Sequence, residues 1–186
     1  DAKRSIDLNK PLMEKIHSVS KVLNKELNEL MLVVLDRPRH TQIIKDLQKL
    51  GIQGYAFPDG DVAGSILTCI VDSDVVMLYG IGGAPEWVIS AAVIRALGGD
   101  MQARLKLRSE VKGVTLENDK ISNFEKNRCE SMGLVVGEGL TMNDLVKDDE
   151  VVFSATGITS GDLLEGIKRK GSIARTQTLV VRGRSK

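Results

Sequence analysis

Arg37 and Arg39 are the first residues along the chain whose type and spacing could do chemistry. They flank Pro38 directly after an apolar run, and a planar guanidinium group binds phosphate oxygens in a two-point geometry. A solvated turn with two surface arginines explains this segment equally well. His40 follows them, and its position at a predicted helix start favours a cap or a surface group over a general base.

A second charged cluster, Asp59-Gly60-Asp61, follows another apolar run. Its carboxylates could chelate a metal ion or accept hydrogen bonds from sugar hydroxyls. A plain Asp-Gly turn that leads into a helix is the alternative for this motif in isolation. Both clusters gain weight because they fall at the ends of successive predicted strands.

The third candidate is the run Gly80 to Glu86, which reads Gly-Ile-Gly-Gly-Ala-Pro-Glu. Glycines, a proline suited to a first helical turn and the N–H groups of a helix start together favour an anion or a metal-bound anion. A carboxylate at Glu86 would repel a phosphate unless a cation lay between them. Glu86 therefore either complements the helix dipole or binds a metal ion.

These clusters depend on an alternation of strands and helices that their flanking sequences predict. Apolar runs predict strands over 30–35, 52–57 and 75–79, and helical periodicity predicts helices over 8–27, 41–50, 62–70 and 86–97. Strands that alternate with helices indicate a parallel sheet, with ligands at the carboxyl ends of its strands. The three clusters would then meet on one edge of that sheet.

Further elements are predicted in the second half of the chain. A strand or extended segment is expected over 101–107, a helix over 116–132, a strand over 151–156, a short helix from Asp162 and a closing strand over 174–181. The run Ser154 to Gly161 is interpreted as a hydroxyl-rich turn. No internal repeat or low-complexity linker interrupts the chain, so residues 1–186 are expected to form one α/β domain.

Composition excludes several function classes. The net charge is +1 and aromatic residues make up 3% of the chain, which argues against nucleic acid, and no apolar run approaches a membrane span. Cys69 and Cys129 are isolated, as reduced thiols of a cytoplasmic protein would be. The glycine spacing of a dinucleotide site and of a P-loop is absent, which argues against a nucleotide-binding module. From the residues alone, the chain is expected to bind a phosphorylated sugar with a divalent metal.

Five motifs, in order, make the chain resemble class II fructose-1,6-bisphosphatases, some of which also act on sedoheptulose 1,7-bisphosphate. The motifs are Arg-Pro-Arg-His, Pro-Asp-Gly-Asp-Val-Ala, Tyr-Gly-Ile-Gly-Gly-Ala-Pro-Glu, Gly-Gly-Asp-Met-Gln-Ala-Arg and Phe-Ser-Ala-Thr-Gly-Ile-Thr. The resemblance implies a layered α/β sugar-phosphatase-like fold, of which this chain covers mainly the carboxyl-terminal half. It implies hydrolysis of the 1-phosphate of fructose 1,6-bisphosphate by water activated on Mg²⁺ or Mn²⁺.

The resemblance also implies residue roles, although it assigns no catalytic residue to this chain. Glu86 is implied as a metal ligand. The implied substrate-binding residues are Arg37, Pro38, Arg39, Asp59, Gly60, Asp61 and Gly83. Two residues depart from the family pattern. Arg37 replaces a lysine, and Trp87 replaces a small residue. The Trp87 ring would crowd or cover the metal site.

The remaining implications concern partners. In the family, most metal-binding carboxylates belong to an amino-terminal half that precedes the residues seen here. The chain is therefore expected to need that half, to lack phosphatase activity alone and to belong to a homo-oligomer. A non-catalytic sugar-phosphate-binding or regulatory domain is the alternative function.

Overall fold

The computed structural model describes residues 5–57 and 60–183, with the exception of the Tyr55 side chain. Its helices are α1 (Leu12–Leu23), α2 (Thr41–Lys49), α3 (Asp61–Leu67), α4 (Ala84–Ala96), α5 (Arg108–Lys112), α6 (Leu116–Ser131) and α7 (Met142–Leu145). Its strands are β1 (Met31–Leu35), β2 (Gln53–Phe57), β3 (Val75–Tyr79), β4 (Ala103–Arg104), β5 (Gly139–Leu140), β6 (Val152–Thr156), β7 (Lys168–Lys170), β8 (Ile173–Arg175) and β9 (Thr178–Arg182). Short 3-10 turns cover Leu27–Glu29 and Pro38–His40.

The first three strands form the predicted parallel sheet, in the order β2-β1-β3. The central strand β1 is buried from Leu32 to Leu35, which is why its sequence is a continuous apolar run without alternation. Each strand is followed by a helix, so all three carboxyl ends meet at one edge of the sheet. The α/β class expected from the sequence is confirmed.

Helices cover both faces of this sheet. On one face, Ile16 and Val19 of α1 and Leu47 of α2 pack against Leu32 and Val34 of β1. On the other face, the partly buried side chains of α3 pack against a core around Val33, Phe57 and Val75. The alternation of side chains along β1 thus divides its core contacts between two helical layers.

A further layer lies beyond α3 and α4. Strands β6 and β9 pair antiparallel, and Val181 of this ribbon is buried in a cluster with Ile66 of α3 and Val93 of α4. The ribbon's opposite face, which includes Val152 and Val180, is exposed. The layers are therefore helices, sheet, helices and ribbon, in agreement with the layered arrangement that was expected.

Two sequence predictions near the carboxyl terminus are wrong. No helix follows Asp162 within the described residues up to 183, because backbone donors there bond across the loop. Ile167 N–H donates to Ile158 O at 3.1 Å, and Gly161 N–H donates to Leu164 O at 3.0 Å. The predicted strand over 174–181 is divided into β8 and β9. Residues 176 and 177 separate the two strands, and the carbonyl oxygen of Gln177 accepts the Gly157 N–H at 3.0 Å.

Other differences are smaller. The first helix begins four residues later than predicted, at Leu12, after a turn over 8–10. The segment over 101–107 contains only the two-residue strand β4, which pairs with β5. Among the described residues, no helix is both long enough and apolar enough to cross a membrane.

Candidate functional site

The predicted site residues lie at the carboxyl-terminal edge of the parallel sheet. Arg37 and Arg39 follow β1, Gly60 and Asp61 follow β2, and Gly83 ends the turn after β3. Pro58 and Asp59 lie outside the described residues. The topology therefore brings three segments that are well separated in sequence to one edge of the sheet. We call this edge the rim (residues 36–40, 60–61 and 80–86).

Arg39 joins the segments that follow β1 and β3. Its Nε donates to the carbonyl oxygen of Ile81 at 3.0 Å, and its Nη2 donates to the same oxygen. The side chain is nevertheless exposed, so guanidinium N–H groups remain open to a ligand. Arg37 is half-buried, and its Nη1 donates to the carbonyl oxygen of Asp36 at 2.8 Å.

His40 makes a second connection between the same two segments. Its ring is fully buried; Nε2 accepts the Ile81 N–H at 3.1 Å, and Nδ1 lies 2.8 Å from the carbonyl oxygen of Leu35. Since Nε2 accepts, the proton of the neutral ring is on Nδ1, which donates to Leu35. Burial lowers the pKa of His40, and this lower pKa favours the neutral ring over the protonated one. His40 does precede α2 at the predicted cap position, but its side chain makes no cap hydrogen bond. The prediction of a surface histidine is wrong, because the ring is buried between two strand ends.

Asp61 is the buried acid of the rim. It begins α3, it is 6% exposed, and its Oδ2 lies directly against Gly82, where any β-carbon would overlap it. The indole Nε1 of Trp87 lies 2.9 Å from the same β-carbon position. A β-carbon at position 82 would thus displace the Asp61 carboxylate, and the Trp87 indole lies against the same side of the glycine turn.

Three charged rim residues act electrostatically on the Asp61 carboxyl. Burial raises the pKa of the Asp61 carboxyl above its ordinary value; the positive charge of Arg37 opposes this rise, Glu86 adds to it, and Arg39 opposes it more weakly. Two guanidinium groups and two carboxylates therefore share one electrostatic environment. Such a set can hold a phosphate through its cations and hydroxyl groups through its carboxylates.

Glu86 lies in the first turn of α4, and its carboxylate folds back against Gly83, the residue before the helix. It is exposed and can offer oxygen ligands to a divalent cation. Within the described part of the chain, no three His, Cys, Asp or Glu side chains are grouped so as to hold a metal ion. By this criterion, the described residues do not form a complete metal site of their own.

Sequence reasoning missed the two features that organise the rim. Ile81 acts through its backbone N–H and carbonyl oxygen, for which no side-chain signal exists. His40 has no local pattern that marks it as buried. The glycine run was the one available signal, because consecutive glycines indicate close backbone approach. A β-carbon at Gly80 would overlap Leu35, and one at Gly82 would overlap Asp61.

Comparisons with known proteins place this edge in context. A sequence model of the family described as "Bacterial fructose-1,6-bisphosphatase, glpX-encoded" matches residues 1–186. The chain is 55% identical over 185 residues to fructose-1,6-bisphosphatase 1 class 2 of Escherichia coli K12, covering 100% of the chain and 55% of that relative. It is 54% identical over 186 residues to the class 2 enzyme of Haemophilus influenzae, covering 100% of the chain and 56% of that relative. Fructose-1,6-bisphosphatase 2 class 2 of E. coli K12 is 45% identical over 179 residues, which cover 96% of the chain and 56% of that relative. The chain therefore spans about half the length of these relatives.

Proposed function

Because the chain belongs to the family of bacterial, glpX-encoded fructose-1,6-bisphosphatases, we propose that the full-length protein hydrolyses fructose 1,6-bisphosphate. The products are fructose 6-phosphate and inorganic phosphate. The observation that supports this is the convergence of Arg37, Arg39 and Glu86 on the buried Asp61 at one sheet edge. We further propose that residues 1–186 form the carboxyl-terminal domain of that enzyme and provide the wall that binds the sugar and a phosphate.

Within this wall, the arginines and aspartates have different roles. Arg37 and Arg39 bind phosphate oxygens, since guanidinium N–H groups match them in two-point geometry. Asp59 and Asp61 accept hydrogen bonds from sugar hydroxyls, and the backbone of Gly60 and Gly83 borders the sugar. Asp61 is held against Gly82 before any ligand arrives, so its carboxylate is preorganised for that contact.

Glu86 provides one carboxylate to a Mg²⁺ or Mn²⁺ site, and the remaining ligands come from the other half of the full-length protein. A divalent cation at that place supplies Lewis acidity toward the phosphoryl group and lowers the pKa of a bound water. This role is supported by the place of Glu86 in the first turn of α4, where its carboxylate lies beside Gly83. The expected homo-oligomer and cytoplasmic location remain predictions.

Replacing Glu86 with glutamine in the full-length protein tests the metal role. One anionic oxygen leaves the shell of the cation, so we expect the Mg²⁺ or Mn²⁺ concentration for half-maximal phosphate release to rise about 10- to 100-fold. Glu117→Gln is the matched control, because Glu117 lies exposed in the first turn of α6. An unchanged metal requirement in Glu86→Gln would make Glu86 a helix-dipole residue.

Replacing Arg39 with alanine tests the phosphate role. Binding of fructose 1,6-bisphosphate, measured by calorimetry, should weaken far more than binding of unphosphorylated fructose. Arg128→Ala provides the control, since Arg128 is exposed on α6. Equal losses for both sugars would show that Arg39 only supports Ile81.

Chain 1–186 alone should release no phosphate, because it holds one proposed metal ligand. Phosphate release at the rate of the full-length enzyme would refute the proposed division of ligands. A full-length protein that binds the bisphosphate without releasing phosphate would instead be a non-catalytic sugar-phosphate-binding domain.

A further inference from the structure

Lys15 is a buried lysine on the core side of α1. It is 5% exposed, next to Ile16 of the main core, whereas lysine is almost never fully buried without a paired charge. Its Nζ donates to the carbonyl oxygen of Leu8 at 3.2 Å and lies 5.8 Å from the ring centroid of Tyr79. The ammonium group therefore contacts one carbonyl oxygen and one aromatic face.

This environment does not stabilise the charge well. Burial lowers the pKa of Lys15 and Arg104 lowers it further, while Asp7 opposes the shift only in part. A methionine of similar length would fill the same space without the cost of removing an ammonium group from water. Packing alone therefore does not account for a lysine at this position.

The acceptor of Lys15 is itself held in place. The Leu8 N–H donates to Oε1 of Gln102 at 2.8 Å, and Nε2 of Gln102 donates to the carbonyl oxygen of Ile6 at 2.7 Å. This reciprocal pair fixes the segment before α1. With Leu8 fixed, the Lys15 ammonium has a defined position over the ring of Tyr79.

Tyr79 connects Lys15 to the rim. It is the last residue of β3, and its ring meets the His40 ring edge-on, with centroids 6.5 Å apart at an interplanar angle of 66°. His40 in turn accepts the Ile81 N–H, and Ile81 accepts the Arg39 guanidinium. A continuous series of contacts thus runs from Lys15 to the turn after β3.

We propose that Lys15 is a positioning residue: its cation fixes the Tyr79 ring, and that ring fixes His40 and the turn over 81–83. This inference rests on the proposed function, since the turn forms part of the proposed substrate site. Lys15 itself does not touch substrate. Its charge, rather than its volume, is what the rim requires.

Amide hydrogen exchange of Ile81 in the full-length protein tests the contacts without reference to activity. In Lys15→Met, the Ile81 amide should exchange about two- to thirtyfold faster, the range that corresponds to loss of one cation–π interaction. The melting temperature should be unchanged or higher, because the buried charge is gone. Lys15→Arg should restore slow exchange, and Lys21→Met, exposed on the same helix, should match the parent.

Kinetics of the same variants connect the contacts to function. Lys15→Met should raise KM for the bisphosphate by a similar factor, with a smaller change in kcat. Tyr79→Phe should behave as the parent, while Tyr79→Leu should reproduce the Lys15→Met effect. The double variant Lys15→Met/Tyr79→Leu should show no further increase in KM, since both changes interrupt the same series of contacts.

The outcomes separate the inference from the proposed function. If the parent protein releases no phosphate, the proposed function fails, and Ile81 exchange still decides the role of Lys15. Parental exchange and KM in Lys15→Met would overturn the inference. A lowered melting temperature with uniformly faster exchange would also overturn it, because Lys15 would then be a stabilising residue only.

Discussion

Replacing His40 with alanine tests the hydrogen bonds that hold the turn after β3. The ring is fully buried, with Nδ1 2.8 Å from Leu35 O and Nε2 3.1 Å from the Ile81 nitrogen. The substitution leaves the Ile81 N–H without its acceptor and the Leu35 carbonyl oxygen without this donor, each costing about 1–3 kcal/mol. It also opens a cavity. We expect the free energy of unfolding to fall by about 3–5 kcal/mol.

Denaturant unfolding of the full-length protein measures this loss, with His17→Ala as the matched control. His17 is exposed on α1, so its replacement should change stability by less than about 0.5 kcal/mol. A loss below about 1 kcal/mol in His40→Ala would refute the reasoning. It would mean that water or a neighbouring group takes over both hydrogen bonds.

The same variant has a predicted pH dependence. Because burial lowers the pKa of His40 in the folded state, the unfolded chain, with a pKa near 6.5, binds a proton that the folded chain does not. The stability that neutral His40 contributes is therefore complete above about pH 6.5 and is lost as the pH falls toward the folded-state pKa. This part of the pH dependence should be absent from His40→Ala. An unchanged acid-side slope would contradict it.

Three further variants test other contacts of the site and its support. Asp61→Asn should be at least as stable as the parent at pH 7, since burial raises the pKa of Asp61 and makes its charged form costly. The stability advantage of the variant should shrink as the pH falls toward the ordinary carboxyl pKa. KM for the bisphosphate should nevertheless rise. Gly82→Ala should cost about 1–3 kcal/mol by displacing the Asp61 carboxylate, whereas Gly139→Ala, with open space around its β-carbon position, should be nearly neutral in denaturant unfolding. Arg95→Ala should lower the free energy of unfolding by about 1–3 kcal/mol in the same assay. The Arg95 side chain is 16% exposed and donates to three acceptors in the 142–149 segment at 2.7–2.9 Å. A result within error of the parent would show that these hydrogen bonds contribute no measurable stability.

The amino-acid sequence by itself determined the elements of the parallel sheet and the segments that end at its edge. Apolar runs such as Met31–Leu35 and the helical spacing of Ile43 and Leu47 are local patterns, and burial of those residues requires that they form a strand and a helix. The alternation of such elements then leaves few topologies. The edge that carries Arg37, Arg39, Asp61 and Glu86 follows from that topology without knowledge of any contact.

Where local patterns were weak, the prediction failed. Strand β7 is Lys-Arg-Lys and is wholly exposed, so no apolar alternation marks it, and only its pairing with β8 makes it a strand. The segment after Asp162 loses its helix to hydrogen bonds with residues 158–160. Long-range pairing overrides local propensity in both places.

Only the tertiary structure decided how the rim is held together. The connection of His40 and Arg39 to Ile81 spans 41 and 42 residues in sequence, and the Gln102 contact with Leu8 spans 94. The close approach of the Asp61 carboxylate to Gly82 is equally a product of packing. A histidine or lysine carries no local mark of burial, because burial depends on what the rest of the chain places around it.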